Sequence, residues 1–85
     1  MDIFKGESMI LPRKSGKEIM NALTKNGFVF VRQKGSHVHL TKRIFKKTFH
    51  VTIPIHGNKD INPFVFKSIA RQAGLTSEEL AQLVA

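Results

Sequence analysis

Between Phe28 and Ile55 three strand-like runs follow one another with no room for a helix between them. Phe28 to Gln33 is aromatic and β-branched, and Ser36 to Lys42 and Thr48 to Ile55 continue with alternating apolar residues. Parallel neighbours need a crossover of a dozen or more residues, which these short connections cannot supply. The runs must therefore pair as an antiparallel meander. Lys34-Gly35 marks a tight turn, because Gly relieves the steric cost of a positive φ. Arg43 to Lys47 contains neither Gly nor Asn, which predicts a longer or less regular hairpin loop there.

Helix signals bracket the meander. After Pro12, Ser15 and Glu18 have the capping-box spacing that satisfies two orphan amides, and Ile19, Ala22 and Leu23 form an inward stripe. Gly27 closes that helix. Asn62-Pro63 is a cap followed by Pro at the first helical position. Val65, Phe66, Ile69, Ala70 and Ala73 then line one face, and Gly74 ends it. Phe64 is read as additional core at the start of this helix, with a partner-binding patch as the sharper alternative. Thr76 and Glu79 repeat the capping-box spacing and open a short last helix through Leu80, Leu83 and Val84. The order predicts an α+β fold, α-β-β-β-α with a short final helix, whose three-stranded antiparallel sheet carries its helices on one face. Residues 1–85 are read as a single domain, with 1–9 a loose lead-in and Met9, Ile10 and Leu11 its docking end.

A hydrophobic fraction of 41% with seven Phe is enough for a packed core, and the absence of Cys excludes a disulfide scaffold, a thiolate zinc site and a cysteine nucleophile. The formal charge is +8, and it is lopsided. Residues 1–47 carry eleven basic and three acidic side chains, whereas residues 48–85 carry three of each. Such a surplus points to a polyanion: nucleic acid, an acidic partner protein, or both. The longest apolar run, Phe28 to Val31, is far short of a membrane span. Asp2 and Glu7 stand where a signal peptide wants basic residues. A cytoplasmic protein without a membrane partner is expected.

All four histidines lie between residues 37 and 56. Alternate strand residues share a face, so His37, His39 and Thr41 point one way while Val38 and Leu40 point the other. In the third run Phe49, Val51 and Ile53 form the apolar set, leaving His50 and Thr52 opposite. Matching apolar to apolar puts His37, His39 and His50 on the face away from the helices. Three readings suit such a face: exposed polar surface, a metal site, or acid–base chemistry. No carboxylate or thiol accompanies the imidazoles and their spacing matches no familiar zinc pattern, so no metal or other cofactor is assigned. His titrates near neutrality and suits proton transfer. His37 follows a glycine turn with Arg32 and Lys34 close before it, a setting of amides and cations able to hold a phosphodiester.

The chain resembles the HicA-type messenger RNA interferase toxins of bacterial toxin–antitoxin pairs. The resemblance runs from about Ile10 to the end. It is carried by Leu11-Pro12-Arg13, Ser15-Gly16-Lys17-Glu18, Gly27-Phe28, Arg32-Gln33-Lys34-Gly35-Ser36-His37, Pro54-Ile55-His56-Gly57-Asn58-Lys59, Ile61-Asn62-Pro63 and Arg71-Gln72-Ala73-Gly74-Leu75. It implies a fold similar to the double-stranded RNA-binding domain and a catalytic histidine in the Gly-Ser-His turn, His37. It also implies a growth-arresting toxin that cleaves mRNA without a metal and is neutralised by a HicB-like antitoxin. In that reading His37 takes the 2′-hydroxyl proton. The Gly35 and Ser36 amides, with Lys34 or Arg32, steady the phosphorane, and Lys17 and Arg13 belong to the RNA-binding surface. A separate acid must protonate the leaving group, and His39, a lysine or water is the candidate. The rival reading is a non-catalytic RNA-binding module of the same fold, which would not require Gly35-Ser36-His37. The chain departs from the family pattern in its longer lead-in, its basic and aromatic Arg43–Lys47 loop, and the apolar Phe64-Val65.

Overall fold

Ser15 and Glu18 start helix α1, Gly16–Lys25, by reciprocal capping in the computed structural model, which describes residues 11–85. The Ser15 hydroxyl accepts from the Glu18 amide at 3.2 Å, and the Glu18 carboxylate accepts from the Ser15 amide at 2.9 Å. The lead-in 1–9, with the docking expected of Met9 and Ile10, lies outside the described residues; Leu11 packs against the core. Ile19, Ala22 and Leu23 are buried, and Lys17, Asn21 and Thr24 on the other side of the helix are exposed. At the far end Gly27 takes φ 97°, the Phe28 amide reaches the Leu23 carbonyl and the Gly27 amide the Thr24 carbonyl. This is the Schellman arrangement, and Leu23 and Phe28 are both buried in the one core cluster.

The meander follows as β1 Val29–Lys34, β2 His37–Ile44 and β3 Lys47–Pro54, in sheet order β1-β2-β3. Both hairpins turn through two residues, since Lys34 pairs with His37 and Ile44 with Lys47. The second of these corrects the expectation of a long or irregular loop over Arg43–Lys47. Phe45 itself takes the positive φ (55°) that glycine would ordinarily supply, so both strands run one or two residues further into the turn than their composition suggests. A bulge between Phe30 and Arg32 interrupts only the β1–β2 register.

Helix α2, Pro63–Gln72, begins at Asn62, whose side chain accepts from the Val65 amide at 2.9 Å. It buries Phe66, Ile69 and Ala70 over the sheet, and a second Schellman turn closes it at Gly74. Phe64 is corrected from core to surface: it is 85% exposed, because the helical stripe through Phe66, Ile69 and Ala70 turns it outward. Helix α3, Ser77–Val84, is capped by Thr76 and Glu79 and buries Leu80 and Val84. Val38, Leu40, Val51 and Ile53 meet these helices from the sheet, while all six residues of β1 stay exposed. The result is an α+β architecture, a three-stranded antiparallel sheet with helices on one face, of the double-stranded-RNA-binding-domain type. Among the described residues no helix is long and apolar enough to cross a membrane.

One contact ties α1 to the end of the sheet. Gly16 is buried against the Pro54 carbonyl and the Ile55 side chain, so closely that a Cβ would overlap the carbonyl oxygen. Backbone there cannot give way as a flexible side chain would. Gly16→Ala should therefore lose about 1–3 kcal/mol of stability through overpacking, read as a lower urea midpoint; an unchanged midpoint would contradict this packing. The cap also predicts an acid dependence. Glu18 titrates below its ordinary value of 4.5, chiefly because the Ser15 amide bonds its carboxylate, with the Ser15 hydroxyl and Lys14 adding to this against some desolvation. A lowered folded pKa contributes stability above the ordinary value and loses it as pH falls through the folded one. Wild type should thus lead Glu18→Gln near neutrality and lose that lead in acid, whereas a lead that persists in acid would count against the cap.

Candidate active site

The Gly-Ser-His turn is held on three sides. Gly35 and Ser36 are the central residues of the β1–β2 hairpin, and Gly35 takes φ 58°. The Gln33 side-chain amide donates to the Gly35 carbonyl at 3.1 Å. Beyond the His37–Pro54 pair, the Ile55 amide donates to the Ser36 carbonyl at 2.7 Å, extending the β2–β3 ladder into the turn. Carbonyls are thus consumed, while among the described residues no acceptor stands against the Gly35 or Ser36 amide. Those two donors remain available to an anion.

The ladder brings the segment after β3 beside the start of β2. His37, exposed, shares a recess of about 410 Å³ with His56, Lys59, Asp60, Asn62 and Val65. The recess wall is braced from behind. The Lys59 amide bonds the His56 carbonyl at 3.0 Å around Gly57, Asp60 bridges to Ser15, and the Ile61 amide bonds the Lys14 carbonyl at 2.9 Å. The first turn of α2, the positive end of that helix, closes the recess through Asn62 and Val65. Two imidazoles, an ammonium and a carboxylate therefore border one concavity.

The remaining sequence-selected residues lie outside this recess, on the neighbouring strands, on α1 and in two adjacent grooves. Lys34 and Arg32 stand directly across from His37 and His39 in the β1–β2 ladder and share their face. Arg13 borders a neighbouring recess that shares Asp60, Ile61 and Asn62 with the first. Lys17 is exposed in the first turn of α1, one residue from the Gly16–Pro54 contact. Strand parity holds: His37, His39 and His50 lie on the face opposite Val38, Leu40, Val51 and Ile53. They do not form one cluster, however. His39 and His50 line a separate groove with Arg32 and Thr41, and His39 Nδ1 stands 3.3 Å from the Thr52 hydroxyl. Among the described residues no three His, Cys, Asp or Glu side chains converge as a metal site would require.

His56, Lys59 and Asn62 are the members that strand periodicity passes over, because they lie in the connection after β3. A two-residue second hairpin makes them legible, since antiparallel pairing about it carries residue 54 to residue 37 and the next residues past the turn. The family model described as "HicA toxin of bacterial toxin-antitoxin" matches residues 16–75, a span that includes the turn, the recess and both flanking helices. The chain belongs to this family and is the toxin of a toxin–antitoxin pair, whose partner is an antitoxin. No curated protein matches it.

Proposed function

We propose that this toxin is an endoribonuclease that cuts messenger RNA without a metal ion, with His37 as its catalytic base. The observation that carries the reading is the recess itself, which His37, next to a glycine turn whose two amides have no partner among the described residues, lines together with a second imidazole, a lysine and a carboxylate. His37 takes the proton of a ribose 2′-hydroxyl, the 2′-oxygen attacks the adjacent phosphorus, and the bond from phosphorus to the 5′-oxygen breaks. The departing oxygen must gain a proton. His56 is in the same recess as His37 and is the nearer donor in kind; His39, bonded to Thr52 one groove away, is the alternative. The Gly35 and Ser36 amides with Lys34, Arg32 and Lys59 meet the charge that grows on the phosphorane, where fixed donors act most strongly. Arg13 and Lys17 extend the phosphate-binding surface around α1. An acidic, HicB-like antitoxin that covers His37 would be drawn by the same charge and would silence the site by occupying it.

Incubation of purified wild type, His37→Ala, His56→Ala and His39→Ala with single-stranded RNA, with and without EDTA, tests the assignment. General acid–base catalysis is worth about 10²–10⁴-fold per group, so His37→Ala should lose about that much rate. His56→Ala should lose more than His39→Ala, and EDTA should change nothing. Equal RNA survival with wild type and His37→Ala would favour the non-catalytic RNA-binding module, and sensitivity to EDTA would restore a metal to the mechanism.

A further inference from the structure

The two hairpins of the sheet have turns of the same length and the same sign of φ at the first turn residue, but opposite chemistry. In each, the first of two central residues takes a positive φ: Gly35 at 58° in one and Phe45 at 55° in the other. Phe45 is the one non-glycine residue with positive φ among the described residues. A bulky L-residue is strained there, and packing does not repay it, because the ring is 93% exposed. Neither the turn nor the core accounts for this phenylalanine. Arg43 fixes it in place, its Nε donating to the Phe45 carbonyl at 3.1 Å, and Lys46 follows as the second turn residue. Lys47, by contrast, is drawn over the Phe49 ring at 5.1 Å on the helix side of the sheet.

The face that leads to this tip has one character. His37, His39, Thr41 and Arg43 of β2 lie opposite Pro54, Thr52, His50 and Thr48 of β3, and Arg32 and Lys34 flank them from β1. Between Glu18 and Asp60 the chain contains no acidic residue at all. Imidazole rings, hydroxyls and cations therefore form a continuous row from the Gly-Ser-His turn to the exposed ring. At ~3.3 Å per residue the eight residues of β2 span roughly 25 Å, room for several nucleotides of an extended strand.

We propose that this open sheet face is a track for single-stranded RNA and that Phe45 is its far anchor, stacking on a base several nucleotides away from the one cut at His37. The inference rests on the ribonuclease reading and extends it. Stacking on an aromatic ring with phosphates held by neighbouring cations is how single strands are gripped without regard to sequence, because every base offers a π-face. The strained turn keeps the ring out in solvent instead of letting it fold back onto the sheet.

The test measures binding of fluorescently labelled single-stranded RNA by anisotropy in the His37→Ala background, where the strand survives, across a range of salt concentrations. Phe45→Ala should bind about tenfold or more weakly, with an unchanged slope of log affinity against log salt, since stacking releases no counterions. Phe45→Trp should restore binding. Lys46→Ala should instead flatten the salt slope. Phe45→Gly, which relieves the backbone, should melt no lower than the parent and still bind as poorly as Phe45→Ala, separating the ring from the turn. Equal binding with and without the ring, including a ring that serves only an acidic protein partner, would overturn this inference and leave the catalytic one intact. Absence of RNA binding by the parent protein would overturn both.

Discussion

Everything in this fold that bears on function hangs on the uninterrupted pairing of β2 with β3. From the Ile44–Lys47 pair at the tight turn the ladder runs without a bulge to His37–Pro54, and one further bond joins Ile55 to Ser36. A one-residue slip of β3 against β2 would turn that strand over, burying His50 and Thr52 and exposing Val51 and Ile53 while Val38 and Leu40 still faced the helices. The same slip would carry the His56–Asn62 segment away from His37. The apolar face, sealed by α1 and α2, therefore fixes the register that aligns the polar face. Core packing and site assembly are two consequences of one constraint.

The connection after β3 turns that register into a recess. Its wall is held by backbone bonds to the approach to α1, through Ser15–Asp60 and Lys14–Ile61, and Gly16 lets the helix close directly on Pro54. The side chains at the rim are thereby freed for chemistry, since the scaffold behind them is held by the main chain. The charge asymmetry acquires a location in the same terms. The basic residues of the first half that the structure describes run from the approach to α1 through β1 and β2 to the Phe45 turn, whereas the balanced second half supplies β3's core residues and the closing helices. A surplus of this size favours polyanionic partners along that half of the molecule.

Much of this was legible in the sequence, and the exceptions have two separate causes. Capping residues, apolar periodicity and the glycines at 27, 35 and 74 report local geometry directly, so element order, helix ends and strand parity follow from them. The β2–β3 turn escapes such reading because Phe45 occupies a conformation its type disfavours, and with the turn misread the exact register is lost. His56 and Lys59 then cannot be placed beside His37, although both are visible in the sequence as residues after a Pro-terminated strand. Phe64 misleads differently. Its apolarity says core, and only the phase of the helix, set by Phe66 and Ile69, turns it to solvent.

Activation of a ribose hydroxyl by His37, in a recess completed by the chain after β3, would leave its signature in the ends of the cleaved RNA. Mass analysis of the ends left on cleaved RNA tests it most directly, using a substrate pair that differs only by a 2′-deoxy sugar at the cut. Attack by the 2′-oxygen predicts a 2′,3′-cyclic phosphate or its opened 3′-phosphate facing a 5′-hydroxyl, and no cut in the deoxy strand. A 5′-phosphate facing a 3′-hydroxyl, or equal cutting of the deoxy strand, would contradict it.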